Sequence, residues 1–242
     1  MLVRPFWPQL QVTAEIEAAA PHQRVRQLVG RDWAKSALVP DHEEAHAPNE
    51  AAAQEVRRRL KNSLLVWATV CREARETRGQ VLVVAQKAVR ERWEASWPVP
   101  RNVDLAHHNA VAGRDQWGPG PGRPGVAKLV VVGRTLPRID AVERLAGALT
   151  GAAVGGGGAA SRYERRDAVI TLRNGSTAST EADVHPDPVA EAIRWQICEG
   201  ELVQVVGRGR GVNRGADNPL DVLVLTNRPL PLLVEAVVTW EC

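Results

Sequence analysis

VLVVAQKAVRERW, residues 81–93, decides the fold. Its first five residues are a continuous apolar, mostly β-branched run, the pattern of a strand buried on both faces in a parallel sheet. A stretch carrying Arg and Glu follows at once, so the strand leads directly into a helix. The pattern recurs downstream. VDLAHHNAVAG (103–113) and AKLVVVGRTLP (127–137) each place a short apolar run ahead of polar or glycine residues, and AVERLAGAL (141–149) has apolar positions at helical spacing. DPVAEAIRWQICEGELVQVVGRG (187–209) opens with Asp187 as an N-cap and Pro188 at the first helical position, and DVLVLTN (221–227) returns as a strand. Repeated strand, turn and helix predict an α/β fold, a parallel sheet flanked by helices.

The segments around these units are less regular. NEAAAQEVRRRLKNSLLVWATVCREARE (49–76) is free of Gly and Pro and predicts a long helix, with Val56, Leu60, Leu64, Trp67 and Val70 as its buried stripe. Residues 1–78 are therefore expected to form an N-terminal helical and β extension, and 79–242 the main α/β domain. WGPGPGRPG (117–125) is a loop and VGGGGAA (154–160) a flexible linker. AVITLRNGSTAST (168–180) carries an Asn-Gly turn signal and predicts a small hairpin beside the sheet.

Composition restricts function only loosely. The 242 residues are 44% apolar, ample for a core, and Lys+Arg exceed Asp+Glu by only 31 to 28, so any basic patch is local. Eight Trp stand against one Phe and one Tyr, and four Lys against many Arg, a bias that points to GC-rich coding rather than to function. Cys71, Cys198 and Cys242 form no CxxC pair and no zinc or disulfide framework, which fits a reducing cytoplasm. No apolar run reaches the roughly 18 residues of a membrane span, and the first residues lack a signal-peptide core. The expectation is a cytoplasmic protein with no membrane association and no bound metal.

Ligand-contacting groups of an open parallel sheet gather outside the carboxyl ends of its strands. Gln86-Lys87, His107-His108-Asn109, Gly133-Arg134 and the turn QVVGRGRGVNR (204–214) are all expected there, converging on one edge. Arg208 and Arg210 flank a single glycine, so an extended turn would present two planar, permanently charged forks to phosphate oxygens. Gln204 lies about one helical turn earlier, placed for a nucleotide or a water.

QVVGRGRG resembles the sixth motif of superfamily 2 helicases, Q-x-x-G-R-x-G-R, with the second arginine one place early. VLVVAQKAVRERW looks like the fourth motif of that family. VDLAHHNAVAGRDQW, with Gly113-Arg114-Asp115, looks like the fifth. The resemblance covers most of the chain, in matching order, and is to the C-terminal half of primase-helicase-like proteins of plasmids, phages and integrated elements. It implies a RecA-like fold, the second of two motor domains. It also implies that Arg208, Arg210 and Gln204 act on the γ-phosphate, that Gly113, Asp115 and Gly207 touch the nucleotide, and that Gln86, Lys87, His108, Asn109 and Arg134 meet single-stranded DNA.

The sequence contains no G-x-x-x-x-G-K-[ST] phosphate loop and no acidic metal box. ATP and Mg²⁺ are therefore expected only in company with a P-loop ATPase domain, in the parent protein or on a separate chain, and the chain alone should be inactive. Two other readings stay open: a non-enzymatic nucleic-acid-binding module using the same face, and a decayed fragment of a mobile-element gene.

Bland readings stand beside several of these residues. His107 and His108 are adjacent, so on an extended segment they point to opposite faces and make a poor metal pair. Cys198 reads as core, as do Trp93 and Trp97, although tryptophans can also stack on bases. Gly207, Gly209 and Gly211 resemble a dinucleotide fingerprint only superficially, since they follow a helix and not a strand. Arg57, Arg58 and Arg59 read as the solvated side of a helix.

Overall fold

The computed structural model describes residues 9, 11, 19–154 and 162–240. Among the described residues eight strands run in chain order as β1 (Gln23–Val29), β2 (Val81–Ala85), β3 (Val103–His107), β4 (Lys128–Val132), β5 (Glu164–Thr171), β6 (Thr177–Val184), β7 (Leu220–Leu225) and β8 (Ala236–Thr239). The helices are α1 (Lys35–Leu38), α2 (Glu50–Glu76), α3 (Lys87–Ser96), α4 (Ile139–Thr150), α5 (Pro188–Trp195) and α6 (Glu201–Gly207). A π-helical turn, Gln196–Gly200, joins α5 to α6.

Six strands form one sheet in the order β3-β2-β4-β7-β1-β8, and every pairing in it is parallel. The apolar runs explain which strands lie inside: β2 and β4 are buried at every residue and β7 at all but one. Parallel pairing requires crossovers, and the helices that supply them cover both faces. On one face α1, α2 and α3 pack through Leu38, Val66, Trp67, Val70 and Trp93. On the other, α6 presents Leu202, Val205 and Val206 beside Trp117, Ile170 and Val234. This is the expected parallel sheet flanked by helices, an α/β arrangement consistent with a RecA-like domain.

The expected hairpin is β5–β6, a separate antiparallel pair in register from Glu164 with Val184 to Thr171 with Thr177. Asp187 caps α5 as expected, its Oδ1 accepting from Val189 N–H and Ala190 N–H at 2.9 Å each. The 117–125 segment is a loop. The expected glycine linker, apart from Val154, falls outside the described residues. Among the described residues no helix is long and apolar enough to cross a membrane.

Two expectations need correction. The boundary after residue 78 separates nothing, because β1 lies inside the sheet between β7 and β8, and α2 packs on the same core as α3. The buried stripe of α2 also differs. Val56, Trp67 and Val70 are buried, but Leu64 is 51% exposed, and Ser63 and Val66 take the inner positions. Ser63 is held there by a bond to its hydroxyl oxygen from Trp93 Nε1, at 3.0 Å.

Candidate functional site

The carboxyl ends of the strands bring together Asp32 after β1, Gln86 and Lys87 after β2, His108 and Asn109 after β3, Arg134 after β4, and Thr226 and Arg228 after β7. Gly133 makes the turn out of β4 at φ +63°, and a Cβ there would lie 2.3 Å from the Trp33 carbonyl oxygen. Only glycine fits. Arg134 then turns inward: Nε donates to Asp32 at 2.9 Å, Nη2 to Asp183 at 2.5 Å and Nη1 to Cys198 Sγ at 3.4 Å. Arg228 shares both carboxylates, at 3.4 Å from Asp183 and 3.9 Å from Asp32. Thr226 donates its hydroxyl to Asp32 at 2.9 Å.

Of the five residues assigned to nucleic acid, this edge exposes two and half-buries one. Lys87 and Asn109 face solvent, and Gln86 is half-buried with its Oε1 unbonded among the described residues. Lys87 stands 3.7 Å from Glu91, and Asn109, at φ +65°, donates its N–H to Glu201 at 2.5 Å. His108 and Arg134 are buried, which corrects their expected exposure. His108 bonds the Val132 carbonyl through Nε2 at 3.2 Å, so that nitrogen carries the proton. Burial, then a weaker repulsion from His107, pushes its pKa down to about 4 and keeps the ring neutral. Cys198 is likewise core, its thiol pushed up to about 11 by burial and then by Glu199, and it is inert at neutral pH.

The Gly-Arg turn lies at the opposite edge. The helix formed by α5, the π turn and α6 runs back against the strands, so Gly207 emerges where strands begin. Gly209 packs against Leu220, the first residue of β7, and Gly211 against Gln23, the first of β1. The expected convergence of all polar clusters on one edge is replaced by two sites, one at each end of the sheet.

At the amino-terminal edge the expected nucleotide-contacting groups do meet. Arg210, in the left-handed region at φ +51° and ψ +53°, places Nη2 2.9 Å from Asp115 Oδ1. Arg208 Nη1 lies 3.9 Å from the same oxygen and donates to the Arg114 carbonyl at 3.5 Å. Hydrogen bonding from Arg210, reinforced by its charge, holds the Asp115 carboxyl below the usual range. Gly113, at φ +72°, Asp115 and Gly207 are exposed, as is Gln204 on the outer side of α6.

Sequence reasoning passed over the residue that fixes this arrangement. Arg214 is buried and donates to the Gly209 carbonyl through Nε at 2.9 Å and Nη2 at 2.7 Å, while Nη1 reaches the Pro124 carbonyl at 3.3 Å. It clamps the Gly-Arg turn to the loop before β4. Asp32, Asp183 and Arg228 were also missed. Arg228 carried a usable signal, since it follows a recognisable strand end just as Arg134 does, whereas the strand before Asp32 was itself hidden.

Among the described residues no three His, Cys, Asp or Glu side chains converge as a metal-ligand set. No family model matches the chain, nor does any curated protein or solved structure.

Proposed function

We propose that the chain is the second motor domain of an ATP-driven nucleic-acid helicase or translocase of the mobile-element type. It would work with a P-loop domain supplied elsewhere in the protein or by a separate chain. One observation carries the reading: Gly113–Asp115 and Gly207–Arg210, about 94 residues apart in sequence, form one surface on which two guanidiniums share a single carboxylate oxygen. Asp115 occupies the arginines as an anion would. A γ-phosphate brought up by the P-loop domain is a stronger, multiply charged acceptor, and Arg208 and Arg210 would transfer to it from Asp115. Such arginines offset charge on the transferring phosphoryl group, an effect of roughly 10³–10⁵ in rate.

Lys87, Asn109 and Gln86, at the other edge, are the candidate contacts to a single DNA strand. Separation of the two surfaces makes the reading testable with the chain alone. A labelled single-stranded DNA is titrated by fluorescence anisotropy at several salt concentrations. The expected result is binding whose log affinity falls linearly with log salt, weakened by Lys87→Ala and unchanged by R208A/R210A. Absence of binding at low salt, or binding that depends on Arg208 and Arg210 and not on Lys87, overturns the assignment. The second outcome would make the Gly-Arg turn itself a nucleic-acid patch without a motor role.

A further inference from the structure

Beyond the end of β4 lies a cavity of about 1110 Å³ that also reaches Arg228 after β7 and the β5–β6 hairpin. Its volume lies just above the usual range of small-molecule sites, roughly 300–1,000 Å³. Its position is that of a ligand crevice. Adjacent strands β1 and β7 send their chains to opposite faces, toward α1 and α2 in one case and toward Leu230 and Val234 in the other. Ligands of open parallel sheets collect at such a reversal, and Asp32 and Arg228 stand at it.

Five arginines line the cavity, against three carboxylates. Arg134 and Arg228 are both 5% exposed. Arg134 has short bonds to two carboxylates, whereas among the described residues Arg228 has the two long contacts and a bond from Nη1 to the Glu181 carbonyl at 2.9 Å. Its Nε has no hydrogen-bond acceptor among the described residues. Burial and the neighbouring Arg134 charge both act against its protonated form. A buried guanidinium so weakly compensated is unfavourable until further negative charge arrives. At the exposed rim Arg138 pairs with Asp140 and Arg165 with Glu181, while Arg162 has no ion pair among the described residues. Part of the lining is apolar and aromatic. It includes Leu136, Ile139 and Tyr163, whose hydroxyl donates to the Pro137 carbonyl at 2.8 Å.

We propose that this cavity binds a phosphate monoester borne on a flat or apolar body, such as a nucleoside 5′-monophosphate or the 5′-phosphorylated end of a strand. Guanidiniums bind the non-bridging oxygens of a terminal phosphate in pairs, and a monoester brings more negative charge to Arg134 and Arg228 than a diester does. The aromatic and apolar wall accommodates the attached body. The site lies at the opposite edge from the Gly-Arg turn and does not depend on the motor reading.

Isothermal titration calorimetry of the full chain tests the proposal, with a nucleoside 5′-monophosphate, its parent nucleoside, inorganic phosphate, and one short oligonucleotide with and without a 5′-phosphate. The expected result is binding of the monophosphate but not of the nucleoside. R162A/R165A, which changes only exposed side chains, should weaken it roughly tenfold or more. R208A/R210A should leave it unchanged. Preference for the 5′-phosphorylated oligonucleotide over the monophosphate identifies the strand end as the source of the phosphate, and the reverse identifies a free nucleotide. Equal binding of both oligonucleotides without monophosphate binding overturns the proposal, as does monophosphate binding that R162A/R165A leaves intact.

Discussion

Arg210 holds Asp115 at 2.9 Å while its stem lies over Gly118, where a Cβ would come within 2.5 Å of Arg210 Cδ. The absence of a side chain at 118 thus sets the direction of the arginine. Gly118→Ala is expected to displace Arg210 and free Asp115 with little change in thermal midpoint, because the stem it meets belongs to a flexible, half-buried side chain and the ion pair that is lost lies at the surface. An NMR titration of the Asp115 carboxyl checks this: its pKa should rise toward the ordinary value in both Gly118→Ala and Arg210→Ala. An unchanged titration in Arg210→Ala would mean that the pair does not form in solution.

Gly133 and Gly207 should respond oppositely to the same substitution. Gly133→Ala combines a positive φ with a backbone clash and should cost more than about 2 kcal/mol. A Cβ at Gly207 meets nothing within 4 Å at the end of a helix, and Gly207→Ala should be neutral or stabilising by about 0.5 kcal/mol. Urea denaturation of the two variants provides the comparison.

His108 should make the protein acid-sensitive. Its pKa falls from 6.5 in the unfolded chain to about 4 in the fold, so between those values the unfolded state binds the extra proton. Stability is whole above pH 6.5 and is lost as pH falls toward 4, at up to about 1.4 kcal/mol per pH unit. Denaturation midpoints at pH 7.5 and 5 should differ less in His108→Gln than in the wild type.

Glu73 accepts a bond from buried Lys128 at 2.6 Å and another from Arg26 at 2.9 Å. Burial works against its ionised form, but the two cations prevail and hold its pKa below the ordinary value. Glu73→Met strands a buried ammonium and should cost about 3 kcal/mol or more. The double variant E73M/K128M should recover much of that loss, as measured by chemical denaturation.

The interior of the sheet was legible because β2, β4 and β7 are buried on both faces and read as unbroken apolar runs. QRVRQLV was not legible as β1. Its alternating charges look like surface, yet Arg24 pairs with Asp221 on β7, Arg26 pairs with Glu73 on α2, and Gln27 is wholly buried, donating to the Thr226 and Arg228 carbonyls. Those partners are distant in sequence, so no local pattern announces them. Placement of the Gly-Arg turn failed for a different reason. Its residue types suggested a ligand edge, but a crossover helix between parallel strands must run backward, which puts its last residues where strands begin. Topology, not composition, held that information.

The π turn at Gln196–Gly200 has a consequence for how one helix serves two neighbours. Before it, Ala190 and Ile193 pack with Val142 and Ala146 of α4; after it, Leu202, Val205 and Val206 pack on the sheet. In an unbroken α-helix, Ile193 and Leu202, nine residues apart, would point to nearly opposite sides at about 100° per residue. The widened turn is a gear between the two halves, and loss of one residue from it would rotate the Gly-Arg turn out of mesh with Asp115.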